Sequence, residues 1–236
     1  MKLFCVPYAG GSSTIFSPWK TIINKEIEIK QLELPGHGVR MTEDLLENIE
    51  EVVEDLYIQI INTLKHQEQY ALFGHSMGAV IVYELQRKLQ NKNLQKNLKH
   101  IFYSGRFPPH IPEEERIHEL SNEALKEKLI SMGGIPKEFE KNEKLFDFFL
   151  PVLRSDFKLL ENYNCDNIQP SKSDISIFYG TNDIPAVLFD LDEWGKYTKN
   201  NCEFYEFYGN HFFINENLNK VIEVIEKKLK VRSNNK

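Results

Sequence analysis

Ser76 stands in Gly74-His75-Ser76-Met77-Gly78, which fits the pattern G-x-S-x-G. A serine hydroxyl is a weak nucleophile at neutral pH and becomes reactive only beside a base. The chain has seven histidines. His211 lies in Gly209-Asn210-His211-Phe212-Phe213, after a strand-like run and before the last helical pattern. That is a loop at the carboxyl end of a strand, where a base could meet the serine. The bland alternative for His211 is a loop histidine beside two phenylalanines. His75 adjoins the serine, but a neighbour in a tight elbow points elsewhere and is expected to pack in the sheet. His37 follows a strand yet lies early, His66 ends a helix, His100 starts a strand, and His110 and His118 fall in a helical stretch. A base also needs an acid to fix its tautomer and stabilise the imidazolium. Asp183, in Gly180-Thr181-Asn182-Asp183 directly after the run from Ile175 to Tyr179, is favoured. Asp190 and Asp192 read as helix-start residues, and Asp174 precedes its strand. The chemistry on offer is attack of an activated alcohol on an acyl carbonyl.

These side chains need a scaffold. Tyr70 to Phe73 reads as a buried strand and Met77 to Leu89 as a helix, so Ser76 sits in a strand-to-helix elbow. Such an elbow strains the serine backbone and lifts its hydroxyl above the sheet edge, and its glycines avoid collisions. The competing reading is a glycine turn with a solvent-facing serine. The chain order Ser76, Asp183, His211 is the one expected of an α/β-hydrolase fold. Acyl transfer also requires donors for the oxyanion. One is expected to be the backbone N–H of Met77. The second is assigned to Ala9, in the loop Pro7-Tyr8-Ala9-Gly10-Gly11-Ser12, although that loop alone could be a plain glycine turn.

Elsewhere strand-like runs alternate with helical patterns. Lys2 to Val6, Glu28 to Leu34, Lys99 to Ser104 and Cys202 to Phe207 read as strands; Glu43 to Lys65 and Asn219 to Leu229 have helical spacing. Strands separated by helices imply a mostly parallel sheet with helices on both faces. From about residue 106 to 170 the pattern is helical without a convincing strand, punctuated by Pro108, Pro109, Pro112, Gly133, Gly134 and Pro136. Leu145 to Leu160 is amphipathic with Pro151 inside, where a kink is expected. The expected organisation is a single domain over 1–236 with this stretch as a helical lid insertion; the alternative is an extended crossover.

A length of 236 residues, 41% hydrophobic and 27% charged, suits one ordered globular unit. The net charge of −6 argues against a nucleic-acid binder. No run approaches the roughly 18 apolar residues of a membrane span, and the start reads as no signal peptide. Cys5, Cys165 and Cys202 form an odd, sparse set, which fits reduced thiols and a cytoplasmic setting. Arg87, Lys88, Lys92, Lys96 and Lys99 make a local basic strip, read as a solvated helix face.

The segments FCVPYAGGS (Phe4 to Ser12), LPGHGVR (Leu34 to Arg40), GHSMGA (Gly74 to Ala79), Ser104-Gly105-Arg106, LRSDF (Leu153 to Phe157) and GNHF (Gly209 to Phe212) stand in the chain in that order. In this the chain resembles the type II thioesterases that accompany nonribosomal peptide and polyketide synthases. The resemblance covers nearly the whole chain. It departs at Ser155, where the family often has Ala, at Asn182, where it often has a charged residue, and at Asn210 before the histidine. The resemblance implies hydrolysis of acyl groups held as thioesters on the phosphopantetheine arm of acyl- or peptidyl-carrier protein domains, which removes stalled or wrong units. It implies a mobile helical lid, Ser76, Asp183 and His211 as catalytic residues, and the amides of Ala9 and Met77 as oxyanion donors. No metal and no bound cofactor is expected, since the partner brings the phosphopantetheine; no nucleic acid or membrane partner is expected, and a monomer is. Two rivals stay open on the residues alone: a general carboxylesterase or lipase-like hydrolase, and a non-catalytic protein of this fold that binds an acyl carrier.

Overall fold

The structure is a computed structural model that describes residues 1–132, 142–183 and 190–230. Six strands form one sheet in the order β2-β1-β3-β4-β5-β6. They are β1 (Lys2–Val6), β2 (Glu28–Gln31), β3 (Tyr70–His75), β4 (Leu98–Ser104), β5 (Asp174–Gly180) and β6 (Cys202–Phe207). Every neighbouring pair is parallel. Among the described residues the α-helices are α1 (Trp19–Ile22), α2 (Ile49–Thr63), α3 (Met77–Asn91), α4 (Asn122–Ser131), α5 (Glu143–Asn162), α6 (Phe213–Glu216) and α7 (Leu218–Lys228).

Side-chain alternation sorts the core into two layers. In β1, Phe4 and Val6 join Tyr70 and Leu72 of β3 against α2 and α3. Leu3 and Cys5 join Ala71 and Phe73 on the opposite face, against Trp19 of α1 and Val221, Ile222 and Ile225 of α7. Successive strand residues point to opposite faces, and both faces of this parallel sheet are covered, so β1 and β3 read as unbroken apolar runs. A third, smaller cluster joins Leu125 and Leu129 of α4 to Phe146 and Phe157 of α5. It belongs to the stretch between β4 and β5, which holds no strand among its described residues.

Several boundaries differ from the sequence pattern: β2 ends at Gln31, short of Leu34, while β3 runs on to His75 and α3 to Asn91. The helical spacing from Glu43 begins as a helix only at Ile49, where the Asn48 side chain accepts the Glu51 N–H at 2.8 Å as an N-cap. Before it, Glu43 accepts from the Arg40 Nε at 2.8 Å, and Leu45 lies so close to Gly36 that a Cβ there would come within 2.4 Å of it. α5 starts two residues earlier than the apolar spacing, at the Asn142 cap. It is one element through Pro151, whose missing N–H leaves the Asp147 carbonyl without a helical donor. Gly133, Gly134 and Pro136 lie outside the described residues. In the basic strip, Arg87 pairs with Glu84 at 2.7 Å and Lys88 with Glu54.

Candidate active site

The parallel sheet gathers its carboxyl ends at one rim, and the strand order reverses between β1 and β3. In open α/β sheets the crevice at that reversal is where ligands bind. The chain leaves β3 and enters α3 through Ser76, whose backbone has φ 55° and ψ −116°. Its N–H donates to the Ser104 carbonyl at 2.8 Å, and its own carbonyl accepts the Ala79 N–H at 2.9 Å. The two flanking glycines make the turn sterically possible. A Cβ on Gly74 would sit 2.0 Å from the Gly78 carbonyl oxygen, and one on Gly78 would sit 2.3 Å from that of Val6. His75 is fully buried, its Nδ1 2.8 Å from the Ser104 Oγ. Burial, then the neighbouring His211, holds its imidazole well below the ordinary histidine range.

The loops after β5 and β6 are tied to each other. The Thr181 N–H donates to Phe207 O at 2.8 Å, the Asn182 N–H to Gly209 O at 2.9 Å, and the Gly209 N–H to the Thr181 hydroxyl at 3.2 Å. This brings Asp183 Oδ1 to 2.9 Å from His211 Nδ1. The pair is almost fully enclosed, Asp183 at 1% and His211 at 6% exposure. Asp183 Oδ2 is buried and has no hydrogen-bond partner among the described residues. Tyr8 and Phe212 meet edge to face at 4.9 Å beside His75.

Ser76, Asp183 and His211 line one cavity of about 400 Å³. Its other walls include Arg106 and Phe107 after β4 and Phe157 and Leu160 of α5. Among the described residues no hydrogen bond joins the Ser76 hydroxyl to His211. None of the described hydrogen bonds uses the amide of Ala9 or Met77, and Met77 opens α3, where helix geometry leaves amides without an internal acceptor.

The loop that carries Ala9 is held by buried carboxylates that sequence reasoning passed over. The Gly10 N–H donates to Asp156 Oδ2 of α5 at 2.7 Å. Glu33, just after β2, accepts the Ser13 N–H at 2.8 Å and the hydroxyls of Ser12 and Ser13, both at 3.0 Å. Asp156 Oδ2 also lies 2.9 Å from His37 Nε2, and His37 Nδ1 lies 2.9 Å from the Pro35 carbonyl. The sequence pattern gives His37 no role because it lies early in the chain, and shows Asp156 only as part of LRSDF. The available signal was the histidine between two glycines in LPGHG.

Residues 1–229 match the family described as Thioesterase domain. The chain is 34% identical over 232 residues to the gramicidin S biosynthesis protein GrsT of Aneurinibacillus migulanus, covering 98% of this chain and 90% of that protein. It superposes on ClbQ from the colibactin NRPS/PKS pathway with a TM-score of 0.90 at 27% identity, covering 97% and 96% of the two chains. On the type II thioesterase BorB from the borrelidin biosynthetic cluster the TM-score is 0.86 at 26% identity, covering 97% and 92%. An elbow serine, an enclosed Asp–His pair and a shared cavity thus occur in a chain that belongs to the thioesterase family, of the type II kind that accompanies nonribosomal peptide and polyketide synthases.

Proposed function

We propose that this chain is a cytoplasmic serine thioesterase that hydrolyses acyl groups from the phosphopantetheine arm of acyl- or peptidyl-carrier domains. The observation that carries the reading is the 2.9 Å contact of His211 with Asp183 at the cavity that the Ser76 elbow lines. Support for the carrier substrate comes from the relatives, one acting in gramicidin S biosynthesis and others in the colibactin and borrelidin systems.

In the proposed reaction His211 Nε2 takes the proton from the Ser76 hydroxyl as Oγ attacks the thioester carbonyl. Asp183 holds the proton on Nδ1 and stabilises the imidazolium. The amides of Ala9 and Met77 receive the oxyanion, and the negative charge also sits near the α3 N-terminus. The carbon–sulfur bond breaks, and the thiolate, whose conjugate acid has a pKa near 8.5, takes the proton from His211. Water, deprotonated by His211, then cleaves the acyl-Ser76 ester, and the acid leaves. Phosphopantetheine arrives covalently on the partner, so the protein itself holds no cofactor. Hydroxyl–imidazole contacts of this kind are commonly long without substrate and tighten when it binds. The helices between β4 and β5 act as a lid, with Phe157 and Leu160 facing the acyl chain.

Mass spectrometry of acyl-loaded carrier domains tests the whole reading. Wild type is expected to strip the acyl group, and Ser76→Ala to lose at least about 10⁴-fold in rate. Wild-type hydrolysis by Ser76→Ala would overturn the assignment. A matched oxygen ester cleaved faster than an acyl-pantetheine would favour a general esterase instead.

A further inference from the structure

Two contacts meet at Asp156 Oδ2. One comes from the Gly10 N–H at 2.7 Å, next to Ala9, and the other from His37 Nε2 at 2.9 Å. Asp156 is 1% exposed and His37 4%. Gly10 has φ +72°, and a Cβ there would meet Leu153 of α5 at 2.4 Å, so the oxyanion loop is pressed onto α5 at two points one helical turn apart. The hydrogens can be assigned by chemistry. A backbone carbonyl only accepts, so His37 Nδ1 must donate to Pro35 O. A carboxylate also only accepts, so Nε2 must donate to Asp156. The contact is that of an imidazolium with a carboxylate. The other Asp156 oxygen is buried with no partner among the described residues, so among these Gly10 and His37 hold the anion.

We infer that His37 and Asp156 are positioning residues of the thioesterase reaction, which hold the Ala9–Gly10 loop against α5 only while the imidazole of His37 is protonated. The inference rests on the oxyanion assignment proposed above. The charged groups facing His37 are Asp156 from α5 and Glu33 from the segment after β2. Arg40, on the same loop, is turned to Asp55 of α2 at 2.6 Å and to Glu43. Burial lowers the His37 pKa, but the hydrogen bond and charge of Asp156, the Pro35 carbonyl and Glu33 outweigh it and leave the imidazole above its ordinary 6.5. The sign follows: the clamp is complete below that raised value and is lost as pH climbs through it. Deprotonated Nε2 then turns a lone pair toward a buried anion.

The experiment measures kcat and KM on an acyl-pantetheine from pH 6 to 9.5, with circular dichroism at each pH, for wild type, His37→Gln, Asp156→Ala and Ser76→Ala. A general base contributes only a rise of kcat with pH. A fall of wild-type kcat on the alkaline side, with unchanged circular dichroism, is therefore expected from the clamp. His37→Gln donates without titrating and is expected to abolish that fall. Asp156→Ala is expected to lower kcat about 10- to 100-fold with KM within threefold, the scale of a displaced oxyanion donor. Its affinity for an alkyl trifluoromethyl ketone, which forms a tetrahedral adduct, should drop in parallel. Flat wild-type kcat to pH 9.5, an alkaline fall retained in His37→Gln, or Asp156→Ala within threefold of wild-type kcat would each overturn the inference. Should Asp156→Ala fail to fold, the wild-type and His37→Gln profiles decide. Ser76→Ala separates the two levels: if it is inactive while those profiles are flat, only the clamp falls; if it is active, the functional reading falls as well.

Discussion

Ser76 holds φ 55° and ψ −116°, a conformation that side-chain-bearing residues seldom adopt. Such a residue stores about 1–3 kcal/mol, which the surrounding hydrogen bonds to Ser104 and from Ala79 sustain. Glycine would release that strain and cost about 0.5–1 kcal/mol through the freer unfolded chain. Ser76→Gly is therefore expected to be more stable than Ser76→Ala by about 1 kcal/mol, a few degrees in Tm for a chain of this size. Both should be inactive. Ser76→Gly melting below Ser76→Ala would show that the elbow stores no strain, because only the glycine's cost in the unfolded chain would then remain. At this scale Ser76, His211 and Asp183 were legible because each follows a strand-like run and the glycines punctuate the turns. His37, Glu33 and Asp156 were not legible as a group. His37 and Asp156 are 119 residues apart, and no local period records that two loops and a helix will close around one carboxylate.

Elements were read best where punctuation is sharp. β1 and β6 have the ends that the runs Lys2 to Val6 and Cys202 to Phe207 suggest. The Glu43 to Asn48 stretch has helical spacing but is drawn away by Arg40 and Gly36, a tertiary override that spacing cannot show. Between β4 and β5, α5 organises the shorter helix before it through one side chain. The Arg154 guanidinium donates to the carbonyls of His118 and Leu120 and to Asn122 Oδ1, the last two at 2.7 Å. Three acceptors around the start of α4 thus depend on one fork-shaped donor. Arg154→Ala is expected to speed hydrogen exchange of the 122–131 amides at least tenfold, since a bond to a charged group contributes about 1.5–3 kcal/mol, while β1 and β3 amides keep their protection. Exchange unchanged across 122–131 would mean that the apolar contacts of Leu125 and Leu129 alone hold α4.

At the scale of the molecule, the sequence implied a parallel sheet from its alternation, but not the strand order, because crossovers of similar length can step either way. Placing β3 beside β1 and β4 beside β3 also packs two histidines into the sheet layers, with consequences for acid stability. His100 of β4 is 3% exposed, its Nε2 2.8 Å from the Ser176 hydroxyl. Burial drives its pKa down to about 4, and His75 lies well below its ordinary value for the same reason. Both are neutral when folded, whereas the unfolded chain takes up protons near pH 6.5. Between about pH 4.5 and 6.5 the unfolded state binds more protons, so stability rises with pH across that window. Carboxylates held below their ordinary range, such as Glu68 and Glu203, titrate below it and leave the window to histidine. The His37 pair, whose pKa is raised, acts in the opposite sense and only at higher pH. Urea unfolding at pH 5 and at pH 7 should differ by a few kcal/mol in wild type, at about 1.4 kcal/mol per pKa unit. His100→Gln, which keeps a donor for Ser176 and cannot titrate, should lose roughly one proton's worth of that slope. An identical slope in wild type and His100→Gln would mean that His100 is protonated within the fold and that the β4–β5 layer admits a charge.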